Sequence, residues 1–262
     1  MALDCKNLAK PFRKLRKSLK KISKRSSPDE VHDLRTHTLR VEATLHALRL
    51  DHKPKGRRVL RAVTPLRKRA GKVRDMDVLI GVISSLRTKS EDACRLQLLE
   101  HLAEQRRAGA RKLTKITDKR RTFARDWLTR CSSSIQKNFN SRQGILRRRS
   151  EAIVLQLSGE IRSWPKLSSR NLYPLRLKLK ELRYVLELSD DKARLVSALK
   201  EVTDTIGEWH NWAELEAIAN DLAEHSGPCG LLQELRTRTQ RQAKEALSAA
   251  SRFKAEYPLA TC

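Results

Sequence analysis

Two stretches of the chain repeat one hydrophobic pattern, and this repeat constrains the fold more than any other feature. Residues 31–48 (VHDLRTHTLRVEATLHAL) align with residues 172–189 (LYPLRLKLKELRYVLELS), although only three aligned pairs are identical. At about 100° per residue, the apolar positions of each stretch fall on one side of a helix. The same core-facing helix therefore occurs once in each half of the chain. Its apolar positions are Val31, Leu34, Val41, Leu45 and Leu48 in the first copy, and Leu172, Leu175, Leu179, Leu182 and Leu186 in the second.

Helical periodicity extends over nearly the whole chain, and no segment alternates as a strand would. The sequence therefore predicts an all-α protein. Ser27-Pro28-Asp29-Glu30 forms a capping box that opens the first copy of the repeat. Glycine and proline are expected to separate the helices, with Gly71 and Gly207 as two of the boundaries. The predicted helices cover about 5–25, 28–50, 57–69, 75–87, 90–117, 174–188, 191–206, 208–225 and 229–255, with an irregular stretch at 135–170.

Positive charge is the second constraint. The 262 residues carry 57 Lys+Arg against 30 Asp+Glu, a formal net charge of +27. Such a fold repels itself, so the excess indicates a polyanionic partner that neutralises it. The stretches 13–17 and 57–61 contain basic residues and no acidic ones, whereas ordinary helix surfaces mix the two signs.

Part of this charge falls on the repeat. His32, Arg35 and His46 share a polar face of the first copy, and Tyr173, Arg176, Lys180 and Arg183 occupy the corresponding face of the second. Equivalent basic faces in the two halves predict two helical bundles that line one surface.

Several other classes of protein fit poorly. No run of residues is long and apolar enough for a membrane span, and the first residues contain no apolar signal-peptide core, so we expect a cytoplasmic protein without membrane contact. The chain has only 4 Trp, 3 Tyr and 4 Phe, few platforms on which nucleic-acid bases could stack. Nucleic-acid binding nevertheless stays open as an alternative, at least as weak binding through net charge. No disulfide or zinc pattern is present: Cys5, Cys94, Cys131, Cys229 and Cys262 are scattered.

Two arrangements invite a catalytic interpretation. His32 and His37 lie five residues apart, about 140° around a helix, and cannot converge on one metal ion. Asp75 and Asp77 form a D-x-D that could hold magnesium, but Asp75 as the cap of a helix explains it without a ligand. We therefore predict no enzyme activity, no metal and no cofactor. A metal-dependent phosphohydrolase and a scaffold for an acidic protein remain alternatives.

At these residues the chain resembles a known family. VHDLR at 31–35 and GKVRDMDVL at 71–79 are similar to the first half of the CHAD domain, the conserved histidine α-helical domain, whose histidine would be His32. LRLKLKELRYVLEL at 175–188 and IGEWHN at 206–211 are similar to its second half. The resemblance implies a fold of two antiparallel four-helix bundles, related by approximate two-fold symmetry around a basic central pore or groove. We expect bundles at 5–135 and 170–257 within one domain, as a monomer.

The resemblance also implies a ligand, because CHAD domains are implicated in binding inorganic polyphosphate and some members sit on polyphosphate granules. His32, Arg35 and Arg40 would match the family's first basic helix, and Arg176, Lys180 and Arg183 its second. Leu39, Glu42 and Tyr173 depart from the family, which often has arginine at the first two positions and histidine at the third. Neighbouring cations are expected to compensate: Arg57, Arg58, Arg61, Lys68 and Lys72.

Overall fold

A computed structural model describes residues 3–86, 93–189, 192–223 and 230–257. These residues form eight α-helices and no strand, which confirms the all-α prediction. In chain order the helices are α1 (Cys5–Lys21), α2 (Pro28–Ala47), α3 (Pro54–Ser85), α4 (Ala93–Lys137), α5 (Phe139–Arg162), α6 (Ser169–Leu186), α7 (Ala193–Ala223) and α8 (Gly230–Glu256).

Where a local sequence signal is strong, the helix begins or ends at the position that the signal predicts. The capping box before α2 is formed: the Ser27 hydroxyl accepts from the Glu30 backbone N–H at 3.2 Å, and the Glu30 carboxylate accepts from the Ser27 N–H at 3.1 Å. After α2 the chain turns at Arg49, whose φ of 50° places it in the left-handed region. The two copies of the repeat become α2 and α6, as predicted.

Two predicted helix boundaries and one predicted irregular stretch are wrong. Gly71 and Gly207 break nothing, because α3 and α7 run straight through them. An isolated glycine costs only about 1 kcal/mol in a helix, and burial of the flanking apolar side chains outweighs that cost. Most of the stretch expected to be irregular is likewise regular helix, divided between the end of α4 and α5.

The eight helices share one main core. Helices α1 to α4 contact one another in a closed ring, α6 contacts α5, α7 and α8, and α7 contacts α8. Buried residues from all eight belong to one hydrophobic cluster, which includes Leu34 of α2 and Leu175 of α6. A second, smaller cluster joins the distal ends of α3, α4, α7 and α8 around Leu79 and Leu215.

Contacts between the two halves place four helices around one central region. Helix α2 of the first half contacts α6 of the second half, and the long helix α3 contacts the long helix α7. Because α2 also packs on α3, and α6 on α7, polar side chains from all four helices meet there. Among the described helices, none has the length and apolarity that crossing a bilayer requires.

Candidate anion-binding site

Four cationic side chains gather where α2, α3, α6 and α7 meet. We call Arg35, Arg74, Arg176 and Lys180 the basic cluster. Arg35 and Arg176 stand at equivalent positions of the repeat, one in α2 and one in α6. Their charges act on each other and on Lys180, and Arg74 of α3 acts on the neighbouring His32 and Asp75. The cluster therefore joins both halves of the chain.

Arg176 lies against the backbone of α7. Its Nε donates to the Thr203 carbonyl at 2.9 Å, and its guanidinium covers Gly207 so closely that a Cβ there would lie 2.5 Å from the nearest guanidinium nitrogen. Glycine at 207 thus provides the space in which the guanidinium lies. Burial beside α7 lowers the pKa of Arg176 from its ordinary value, although the group stays charged at neutral pH.

Arg35 has the corresponding position on the other side. A Cβ at Gly71 of α3 would lie 3.7 Å from the Arg35 Nε, and an Arg35 guanidinium nitrogen approaches the Asp75 carboxylate at 3.5 Å. Gly207 is therefore a site where α7 needs a glycine to accept an arginine of the repeat, whereas a Cβ at Gly71 would make only ordinary van der Waals contact with Arg35. The close approach is tighter at Gly207 than at Gly71.

Lys180 has the most perturbed charge of the cluster. Burial, followed by the charges of Arg176, Arg35 and Arg183, lowers the pKa of Lys180 to about 7. Asp204 opposes this shift and does not cancel it. Lys180 is thus partly buried, and the positive charges that act on it outweigh the negative one, an environment that an anion would relieve.

Two histidines border the cluster. His32 has an exposed side chain whose Nε2 lies 3.4 Å from the Thr36 hydroxyl, and His210 of α7 stacks against Tyr173 with ring centroids 4.0 Å apart. Desolvation and then nearby arginines lower the pKa of both histidines, so both are neutral at pH 7. Each would gain a proton if a bound anion offset the surrounding charge.

Two carboxylates also face this region. Desolvation raises the pKa of Asp75 and of Glu214, and the charge of Asp75 raises that of Glu214 further. Asp75 lies in the middle of α3, so its expected role as a helix cap is wrong. Asp77 points elsewhere: its carboxylate is 3% exposed and pairs with Arg106 at 2.7 Å. The D-x-D therefore does not bring two carboxylates to one point.

Beyond the cluster, α2 and α6 are joined by two ion pairs. Arg40 pairs with Glu187 at 3.0 Å, and His46 pairs with Glu181 at 2.9 Å. Arg40 aligns with Glu181 in the repeat, and His46 aligns with Glu187. Each ion pair therefore occupies the position in one half of the repeat that the other pair occupies in the other half. The hydrogen bond to Glu181 raises the pKa of His46. His46, which was predicted to lie on the polar face of the first copy, thus pairs with Glu181 of α6.

Next to the cluster, Arg40 and the buried Arg183 flank Tyr184, and both arginines pair with Glu187, at 3.0 and 3.6 Å. The guanidinium carbons of Arg40 and Arg183 lie 5.9 and 5.0 Å from the ring centroid of Tyr184. Arg40 and Tyr184 border a cavity of about 370 Å³ that Lys10 and Lys14 of α1 also line. This cavity extends the positive region toward α1.

The remaining predicted cations spread along α3. Lys72 borders a small cavity with Asp75 and Glu214, and Lys68 lies near Glu42, which pairs with Arg67 at 2.7 Å. Arg57, Arg58 and Arg61 lie in the first turns of α3, and 13 to 17 residues of helix separate them from Arg74, about 20–25 Å. Arg58 instead covers the Trp127 ring at 4.5 Å. Their contribution to binding stays a prediction.

Sequence reasoning missed Arg74, His210, Glu214 and the purpose of Gly207. A second alignment contains the signal: residues 71–79 (GKVRDMDVL) match residues 207–215 (GEWHNWAEL) at the glycine and the leucine. The structure gives the aligned pairs equivalent places, because Val73 and Trp209 enter the main core, and Leu79 and Leu215 the smaller one.

Filling the space at Gly207 should affect the site selectively. In Gly207→Ala the new methyl group must displace the Arg176 guanidinium, and we expect anion affinity to fall several-fold. Gly81→Ala in α3 is the matched control, because a Cβ there meets nothing within 4 Å and should stabilise the helix by up to about 1 kcal/mol. Fluorescence anisotropy with a labelled polyanion, beside thermal melting, measures both effects. If the Gly207→Ala and Gly81→Ala variants bind the polyanion with equal affinity, Gly207 has no role in the anion-binding site.

Comparison with known proteins gives the class of this arrangement. The family model of the CHAD domain matches residues 7–220. The chain therefore belongs to the CHAD domain family, as the resemblance predicted. A crystal structure of the CHAD domain from the plant Ricinus communis is similar in fold, with a TM-score of 0.63 and 15% sequence identity, and the match covers 96% of this chain and 84% of that chain. No curated protein matches the sequence.

Among the described residues, no three histidine, cysteine or acidic side chains are grouped so that they could hold a metal ion. His37 is buried, and its Nδ1 lies 2.7 Å from the Ser18 hydroxyl. His32 has an exposed side chain, so the two histidines do not face one point.

Proposed function

We propose that this CHAD domain binds inorganic polyphosphate, without catalysis, at the basic cluster. The observation that carries the proposal is the gathering of Arg35, Arg176 and Lys180 from both halves of the chain in one partly buried place; burial, and after it the charges of the two arginines, lowers the pKa of Lys180 to about 7. A folded protein has no structural need for such repulsion, and a linear polyanion would relieve it.

The residues differ in what they offer a phosphate chain. Arg35 and Arg176 can each bridge two oxygens with a planar guanidinium, whereas Lys180 supplies a mobile point charge that tolerates variable phosphate positions. Lys10 and Lys14, which line the neighbouring cavity with Arg40, would extend the path toward α1, where Arg40 would exchange Glu187 for a phosphate. Binding would proceed by counterion release, with each neutralised phosphate adding about 0.7–0.9 to the salt slope, by analogy with nucleic acids.

Binding to a length series of polyphosphates, beside RNA and DNA at two salt concentrations, tests the proposal. We expect affinity to rise with polyphosphate length until the positive region is filled, and excess polyphosphate to displace nucleic acid. Failure of polyphosphate to displace RNA or DNA would contradict the choice of ligand.

Substitution of Asp75 distinguishes polyphosphate binding from polyphosphate hydrolysis. Its carboxylate approaches Arg35 at 3.5 Å and would compete with a phosphate for that guanidinium. Asp75→Asn should therefore bind polyphosphate several-fold more tightly, measured by anisotropy at fixed salt. Release of orthophosphate by the unmodified protein with magnesium or manganese, lost in Asp75→Asn, would replace our proposal with a metal-dependent phosphohydrolase.

Binding should weaken with rising pH. A bound anion favours charged Lys180 and raises its pKa above the free value of about 7, so binding takes up a proton. The affinity should then fall between pH 7 and 8.5, by up to about ten-fold per pH unit. Because arginine stays charged across this range, Lys180→Arg should flatten the profile. An unchanged slope in Lys180→Arg would exclude Lys180 as the titrating group.

A further inference from the structure

A separate pocket of about 520 Å³ lies where the start of α3, the end of α4 and the start of α5 meet. It shares no residue with the basic cluster. Burial raises the pKa of Cys131 to about 11, so its thiol is neutral and adds no charge to the pocket wall. The apolar lining consists of Leu50, Pro54, Cys131, Ile135, Ile145 and Leu146.

Four cations line the same pocket and no carboxylate does. They are Lys53 and Lys55 at the start of α3, and Arg142 and Arg149 in α5. The Lys55 ammonium donates to the Ser134 hydroxyl at 3.2 Å, and Arg149 donates to the Leu48 carbonyl at 3.2 Å. These contacts are to neutral groups. None of the four cations forms an ion pair with another described residue, so their charge is available to a ligand.

The surrounding backbone contributes three helix ends. Lys53 precedes α3 and Asn138 precedes α5, and neither side chain caps its helix by a hydrogen bond. Both residues line the pocket, so the positive ends of two helix dipoles lie there beside the negative end of α4, and the net positive potential comes from the four side chains. The nearest carboxylate in sequence, Asp51, is not part of the lining and lies 3.4 Å from the His52 ring.

We propose that this pocket binds an anionic amphiphile, an alkyl chain of medium length with a carboxylate or phosphate head. The apolar wall would bury the chain, and the lysines and arginines would hold the head. Its volume falls in the range of about 300–1,000 Å³ that small-molecule sites occupy. A polyphosphate would leave the apolar wall in contact with charge, so this ligand class differs from that of the basic cluster.

Calorimetric titration of the full chain with decanoate and with decyl phosphate tests the proposal. We expect one equivalent of each to bind, while acetate, inorganic phosphate and the uncharged decyl maltoside do not. A preference between the two decyl anions would tell a fatty-acid ligand from a lipid phosphate. Equal binding of decyl maltoside would overturn the role of the cations, and equal binding of inorganic phosphate would overturn that of the apolar wall.

Matched variants locate the ligand. Lys53→Gln with Arg142→Gln should weaken decanoate binding at least ten-fold, because both exposed side chains line the pocket. Lys192→Gln with Lys244→Gln removes the same charge from exposed positions outside it and should leave affinity unchanged. Isoleucine methyl NMR should show shifts centred on Ile135 and Ile145, and saturating polyphosphate should not reverse them. Equal losses in both variants, or shifts elsewhere, would overturn the assignment.

Discussion

Replacing Arg35, Arg176 and Lys180 together by glutamine is expected to weaken polyphosphate binding by at least 100-fold at about 0.1 M salt. Each of these cations is proposed to contact a phosphate, so the salt slope should fall by about 2 to 3. Binding isotherms at several salt concentrations give both quantities.

The same variant should keep its helical content, measured by circular dichroism. Removing the repulsion between Lys180 and the two arginines favours the folded state and offsets part of what is lost with the Arg176–Thr203 hydrogen bond and the Arg35–Asp75 pair. The matched control is Lys192→Gln, Lys244→Gln and Arg252→Gln, which removes equal charge from exposed positions. If control and cluster variants lose affinity equally, net charge accounts for binding and the cluster has no special role.

Leu175→Asp is expected to unfold the protein, and Leu34→Asp should do the same. Both leucines are at most 1% exposed, and they occupy corresponding positions on the apolar faces of α6 and α2. Burying an unpaired carboxylate costs several kcal/mol, which is comparable to the whole stability of a typical domain. Circular dichroism and urea denaturation measure the loss.

The control for this prediction lies on the same helix. Leu177 is 49% exposed, two residues and about 200° from Leu175, so Leu177→Asp adds the same charge to α6 without burying it. We expect Leu177→Asp to melt within a few degrees of the unmodified protein. A folded Leu175→Asp protein would contradict the assignment of this face to the core.

The prediction of helices from the sequence succeeded where periodicity was long and caps were strong. The core-facing leucines of both copies of the repeat are buried, and the capping box at Ser27 forms. It failed at Gly71 and Gly207, because a glycine that ends a helix and one that lies inside a helix look alike in sequence. At Gly207 the neighbouring side chain that needs the space is Arg176, which lies far away in the chain.

The candidate site was predicted in part for the same reason. Arg35, Arg176 and Lys180 could be chosen because the repeat marks their positions, and the structure brings them together. Arg40 and His46, on the same helix as Arg35, instead form ion pairs with α6. Helical spacing assigns a residue to a face, but the neighbouring helix decides whether that face meets an acid, an arginine or solvent.

The sequence by itself determined the all-helical fold, the duplicated core helix and the surplus of positive charge, because these follow from local periodicity and composition. Only the tertiary structure decided which charges meet. Contacts of α2 with α6 and of α3 with α7 bury Lys180 near two arginines, and packing of α4 on α3 pairs Asp77 with Arg106. The starts of α3 and α5 and the end of α4 enclose a separate cationic pocket. Burial and the distance between charges set these properties, and both depend on how the helices pack.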